Sequence, residues 1–208
     1  MLDSVASRHD RRRGLRRNSW NLAVVTGAVL AALVLPGAAL ASEPIWALLR
    51  SGGQVILMRH AITTPGVGDP PGMRLEDCGT QRNLTDEGRR HARQVGEAFR
   101  ARGVVVDRML SSPWCRCLET ARLAFSAAEV SEPLGNLYGR SDREAQQVGQ
   151  MRALTGEPGR GGNLALVSHG STFLALTGVS LGTAEMLVVT PRGAGRFDVV
   201  GRLTAHSP

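Results

Sequence analysis

The chain has no lysine: among its 208 residues, all 25 basic ones are arginine. That absence excludes chemistry run through a lysine amine, such as a Schiff base or the phosphate-gripping lysine of a P-loop. Cysteine is scarce too. Cys78, Cys115 and Cys117 are the whole set, and no second pair of Cys or His stands at ligand spacing, which argues against zinc. No internal repeat is present, which excludes a solenoid. The apolar run of residues 22–35 falls short of the ~20 residues that span a bilayer.

That run does fit another role. Arg8, Arg11, Arg12, Arg13, Arg16 and Arg17 precede it, and Pro36 and the small-residue ending Ala39-Leu40-Ala41 follow. This is the layout of a secretory signal cleaved between Ala41 and Ser42. Residues 1–41 are therefore read as a signal peptide and 42–208 as one domain, periplasmic or secreted; an uncleaved membrane anchor is the alternative. Arg16-Arg17 opens a twin-arginine route beside the general one, although Asn18-Ser19-Trp20 fits it loosely. The formal charge of +7 shrinks accordingly. Six arginines and two acidic residues leave with the signal, and the remaining +3 argues against a nucleic-acid partner.

Strands and helices alternate along the rest. Residues 54–58 form a continuous aliphatic run suited to a strand buried on both faces, and 104–110 and 163–167 read as two more. Late strands are expected over 185–189 and 196–203. Thr85 is placed as the N-cap of a helix reaching Arg102, with Ala92, Val95, Ala98 and Phe99 on one face and Gly103 closing it. Ser112 and Pro113 are expected to open a second helix running to about Phe125. Further helices are expected over 143–154 and from Thr172, and a helical turn over 45–49. The pattern predicts an α/β fold with a mostly parallel sheet covered on both sides. Residues 62–82, rich in Gly, Pro and Thr, make a loop of a length that is often functional.

Four segments carry the chemistry, each joining apolar residues to residues suited to a phosphate: Val55–Ala61 with Arg59-His60, Asn83–Ala92, Ser112–Ala121 with Arg116, and Leu164–Gly170 with Ser168-His169. Any one alone is weak, because arginine is abundant; four in one order are not. In an open α/β sheet, ligands bind beyond the carboxyl ends of the strands, where three of the four fall. Strand alternation would send Arg59 and His60 to opposite faces, so the strand must end there. Arg59 and Arg116 supply forked donors matched to phosphate oxygens. Of His60 and His169, one can attack phosphorus as a neutral imidazole while the other, protonated, stabilises the equatorial oxygens.

From residue 54 onward the chain resembles the histidine phosphatase superfamily, the phosphoglycerate mutase-like family. Arg59-His60-Ala61-Ile62-Thr63 is similar to its Arg-His-Gly-x-Thr signature, with Ala61 for Gly. Leu84-Thr85-x-x-Gly88-Arg89-x-x-Ala92, Ser112-Pro113-x-x-Arg116-x-x-x-Thr120-Ala121 and Ser168-His169-Gly170 resemble its later blocks. The resemblance implies a three-layer α/β/α sandwich and a phosphatase acting on a phosphate monoester through a phosphohistidine on His60. Arg59, Arg116 and His169 would form the phosphate pocket, Thr63 would make a further contact, and no metal or organic cofactor is implied. The substrate would be a small-molecule or envelope-derived phosphate ester. A phosphomutase or a non-catalytic phosphate-binding module are the alternatives.

The family's usual acid does not stand out. Asp142 or Glu144 could supply a leaving-group proton, yet both also suit the solvated first turn of a helix. His91, among arginines mid-helix, reads as a solvated residue, and Glu185 as structural. Export and topology together lead us to expect a disulfide. Cys78 ends the long loop leaving the first strand, Cys115 opens the helix leaving the second, and Cys117, facing the core, is left as the free thiol.

Overall fold

The computed structural model describes residues 37–157 and 161–206; the arginine-rich segment and the apolar run lie outside them. Helix α1 (Gly37–Ser51) extends well beyond the turn expected over 45–49 and runs through the position between Ala41 and Ser42. Ile45, Trp46 and Leu49 are its buried face. Gly52 and Gly53, both at positive φ, turn the chain into β1 (Val55–Arg59).

The remaining elements are α2 (Asp86–Ala101), β2 (Val106–Ser111), α3 (Cys115–Phe125), β3 (Glu129–Val130), α4 (Ser141–Gly156), β4 (Asn163–Ser168), α5 (Gly170–Thr177), β5 (Met186–Gly193) and β6 (Arg196–Leu203). They build a six-stranded sheet in the order β3-β2-β4-β1-β5-β6. Pairs β1/β4, β4/β2 and β2/β3 are parallel, while β5 runs antiparallel to both β1 and β6. The expected α/β sandwich with a mostly parallel sheet is thus the observed one.

Its two cores follow from the period of two along each strand. Ile56 and Met58 of β1, Ala165 and Val167 of β4, and Met186 and Val188 of β5 face α1, α2 and α3. There Trp46, Phe99 and Phe125 meet edge to face, with centroids 5.3 Å apart in each pair. Val55 and Leu57, Leu164 and Leu166, and Leu187 and Val189 face the other way, onto Met151 of α4 and Phe173 and Leu176 of α5. Among the described residues no helix is long and apolar enough to cross a membrane.

Two local expectations change. Thr85 does cap α2, its hydroxyl accepting from Gly88 N at 3.0 Å. Helix α3, however, starts at Cys115 with Trp114 at its N-cap, not at Ser112 and Pro113. Its first N–H, that of Cys115, is taken by the side-chain oxygen of Gln81 at 2.9 Å, a partner 34 residues away that no local pattern announces. His91 is half-buried rather than solvated, stacked on His206 at 6.2 Å.

Candidate active site

β1 ends at Arg59, and the change of backbone there lets two consecutive residues serve one site. The turn is held from three sides. His60 N donates to Ser168 O at 2.9 Å, its carbonyl accepts from Ala184 N at 3.2 Å, and Ala61 N donates to Thr120 Oγ1 at 3.1 Å. Thr120 in turn donates to Arg116 O at 2.7 Å, so α3 fixes the backbone beside His60. The first turn of α2 presses on the same segment. A Cβ on Gly88 would lie 2.0 Å from Ile62 O, which makes glycine obligatory there.

These constraints bring His60 and His169 together with ring centroids 5.4 Å apart. His60 is 4 % exposed, His169 3 % and Arg116 1 %. The Nδ1 of His60 lies 2.8 Å from Ala61 O, an acceptor only, so Nδ1 carries the proton and Nε2 keeps its lone pair. His169 Nε2 lies 2.8 Å from Ser112 Oγ and Nδ1 lies 3.5 Å from Arg116 Nη2. Trp114 packs edge-on against the His169 ring at 5.2 Å. Cys117 Sγ sits 3.5 Å from Nε2, and burial pushes this thiol up to about 12, so it stays protonated.

Burial, with only partial relief from the Ala61 carbonyl and with Arg116, Arg59 and Arg82 nearby, lowers His60 to about 3. Burial, His60 and the same three arginines hold His169 well below its ordinary value. The neutral imidazole of His60 agrees with expectation. The protonated His169 does not, and the correction has a plain cause: burial disfavours the charged imidazole first, and His60 and the guanidinium groups add to it.

Neutral buried histidines make stability depend on pH. Between about 6.5 and about 3 the unfolded chain protonates His60 and the folded one does not, so stability falls as pH falls through that window; His169 acts in the same direction. Each group contributes up to about 1.4 kcal/mol per pH unit. The thermal midpoint should therefore drop between pH 7 and pH 4.5, and more shallowly in His60→Gln. Parallel declines in the two proteins would show that His60 titrates normally.

Three guanidinium groups surround the pair, not the two expected. Arg59 donates through Nη1 to Leu181 O at 2.8 Å, and a Cβ on Gly170 would come within 3.3 Å of its Nε, so Gly170 makes room for this guanidinium. Arg82 donates through Nη1 to Gly66 O at 2.6 Å. Arg116 grips Asp69, Nη1 to Oδ1 at 2.6 Å and Nη2 to Oδ2 at 3.1 Å. The buried Nε atoms of Arg59, Arg82 and Arg116 have no partner among the described residues. An unmet buried donor costs about 1–3 kcal/mol, so three around two histidines mark a place built for an anion.

Asp69 and Arg82 escaped the sequence reading because both lie in the aperiodic loop. Burial would raise the Asp69 carboxyl, but hydrogen bonds from Arg116 and Arg82 N hold it below its usual value, so it is ionised. A surface cavity of about 400 Å³ opens beside them, lined by residues 64–71 with Gln81 and Arg82. Thr63 stands at the loop's start, bridged through its backbone to Leu84, and its hydroxyl makes no hydrogen bond among the described residues. Asp142 and Glu144 are exposed on the first turn of α4, where their charge suits the helix end. Glu185 accepts from Gly182 N and Arg202 and is structural. Among the described residues no cluster of His, Cys, Asp or Glu could hold a metal ion.

The loop is stapled where it matters. Cys78 and Cys115 form the expected disulfide, with Cα atoms 5.7 Å apart, and Cys117 is free and buried. Gln81 adds bonds to Arg74 O and Leu75 O, so loop and α3 share both a covalent and a polar clamp. Closing a loop of this size contributes about 3–4 kcal/mol in the chain-entropy view. Reduction should lower the urea midpoint correspondingly and weaken any activity that needs Asp69 and Arg82 in place. Mass mapping of unfolded, unreduced protein should find Cys117 as the alkylated cysteine; three alkylated cysteines would remove the staple.

Residues 55–137, which hold His60 and Arg116, match the family model described as histidine phosphatase superfamily (branch 1). No curated protein matches the sequence. Solved structures share the fold. A protein histidine phosphatase, SixA, complexed with tungstate is 21 % identical, with a TM-score of 0.52 over 73 % of this chain and 97 % of that one. A phosphoserine phosphatase of Entamoeba histolytica in complex with 3-phosphoglyceric acid is 14 % identical, with a TM-score of 0.55 over 74 % and 98 %.

Proposed function

We propose that this chain is a member of the histidine phosphatase superfamily, as the family-model match over residues 55–137 and the shared fold support, and that it is an exported phosphatase that hydrolyses a phosphate monoester through a phosphohistidine on His60. One observation carries the reading: His60 Nδ1 is tied to Ala61 O, so the Nε2 lone pair stays free beside three guanidinium groups with unmet donors.

In this mechanism the phosphoryl group sits between Nε2 of His60 and the Nε edges of Arg59, Arg82 and Arg116. Nε2 attacks phosphorus, the ester oxygen departs towards the loop cavity, and water then hydrolyses the phosphohistidine. Burial, above all, and the nearby arginines hold His169 neutral; a bound dianion opposes both effects, so His169 gains a proton as the anion arrives and shares the developing charge. Thr63 is a further phosphate contact. Asp142 and Glu144, exposed on α4, are given no part, so the reaction relies on a leaving group that needs little acid help. Export rests on the arginine-rich start and the apolar run before Ala39-Leu40-Ala41. Cleavage after Ala41 would leave Ser42-Glu43-Pro44 as the first turn of α1, where a proline's missing N–H costs nothing.

The test is direct. Purified protein given a labelled chromogenic phosphate ester and quenched should carry acid-labile, base-stable label and release phosphate. Label stable to acid, on Ser or Thr, would overturn the histidine intermediate. A panel of phosphorylated sugars, nucleotides, inositol phosphates and lipid head groups would then find the substrate.

A further inference from the structure

Asp69 has more partners than a loop carboxylate needs for folding. Its Oδ1 accepts from Arg116 Nη1 at 2.6 Å and from Arg82 N at 3.1 Å. Its Oδ2 accepts from Arg116 Nη2 at 3.1 Å and from Trp114 Nε1 at 3.0 Å. The side chain is 8 % exposed, against 1 % for Arg116. A guanidinium has five N–H bonds in a rigid plane, and a carboxylate across both Nη atoms uses the outer two. Of the three that remain, the second Nη1 proton goes to Arg82 O at 3.5 Å, and the Nε–Nη2 edge is left with the Nε–H, which has no partner among the described residues, and the second Nη2 proton, 3.5 Å from His169 Nδ1 by its nitrogen.

We infer that Asp69 is a positioning residue for the phosphate pocket: by holding the outer fork of Arg116 it aims the Nε–Nη2 edge at the phosphoryl group beside His169. The inference rests on the phosphate pocket proposed above. It also sets the pocket's charge. Arg59, Arg82 and Arg116 against one carboxylate, with both imidazoles neutral, leave two positive charges, which match a doubly ionised phosphate monoester. The disulfide belongs to the same device, because Cys115 precedes Arg116 and Cys78 anchors the loop that carries Asp69.

Asp69→Asn separates aiming from charge. The amide keeps the volume, but its NH2 meets two donors whichever oxygen it replaces, Arg116 Nη1 and Arg82 N or Arg116 Nη2 and Trp114 Nε1. The fork breaks while the pocket becomes more positive. Calorimetric titration with inorganic phosphate should show roughly tenfold weaker binding in Asp69→Asn than in the wild type. Against an Arg116→Lys background the same change should cost less than about threefold, because the fork is already lost. Affinity equal to or tighter than wild type would overturn the inference and make Asp69 a competitor of the ligand; full additivity with Arg116→Lys would overturn it as well. If Asp69→Asn does not fold, Trp114→Phe removes one donor from Asp69 at unchanged charge. A two- to fivefold weaker phosphate affinity is expected there, and wild-type affinity overturns the inference. The readout is binding, so it stands apart from turnover. Phosphate bound in the expected pattern without hydrolysis of any ester would sink the phosphatase and keep the positioning role; no phosphate binding by the wild type would sink both.

Discussion

His60→Ala is expected to abolish both the acid-labile label and turnover, with a loss on the order of 10⁴-fold or more, about 5 kcal/mol of barrier. The size follows from the site's division of labour. In the proposed mechanism three arginines and His169 bind and polarise the phosphate ester, while Nε2 of His60, whose Nδ1 is tied to Ala61 O, is the lone pair that attacks phosphorus. Alanine removes the imidazole and leaves the backbone bonds of His60 N to Ser168 O and Ala61 N to Thr120 in place, so the fold should survive. Phosphate binding in the variant should persist, since the guanidinium groups are untouched. Undiminished turnover by the folded variant would show that the nucleophile lies elsewhere.

Arg116→Lys should cost about 2–4 kcal/mol of transition-state stabilisation, a fall of some thirty- to a thousand-fold in kcat/KM, although the charge is kept. An arginine on a helix surface would tolerate this exchange. Arg116 is buried and engages Asp69 with two nitrogens while offering Nε and the second Nη2 proton to the histidine side. An ammonium is a point charge; held by Asp69, it has no second edge to present. Kinetics close to wild type would place Arg116 outside the reacting group's reach.

Much of this was legible because it is local. The apolar runs before Arg59-His60 and Ser168-His169 could be read as strands of a mostly parallel sheet, and the period of two along each sorts its side chains into two cores; that the two strands are neighbours came from the structure. Thr85 could be read as a cap because its bond reaches Gly88, three residues on. The pairing of Cys78 with Cys115 was expected from export and from loops leaving two strand ends, but those strands are not neighbours: β4 lies between β1 and β2, and the long loop carries Cys78 across. Gly88 was visible as a glycine in a helix, but its reason was not: the helix touches the backbone of Ile62, on a different segment.

The rest was decided by contacts between segments that carry no pattern of their own. β3 is two residues long, too short for any period to register. The start of α3 shifted from Ser112 to Cys115 because Gln81, far back in the chain, supplies the partner its first N–H needs. The sequence by itself determined the α/β class and singled out the two histidines, Arg59 and Arg116 as candidates, because hydrophobic period and the residues that end an apolar run are properties of neighbouring residues. Only the tertiary structure decided that Arg82 completes the cation cluster, that His169 is neutral without a bound anion, and that Asp69 fixes the edge Arg116 presents. A protonation state depends on the summed charge and burial around a group, and a guanidinium's orientation depends on the partner of its far side, 47 residues away in sequence and 2.6 Å away in space.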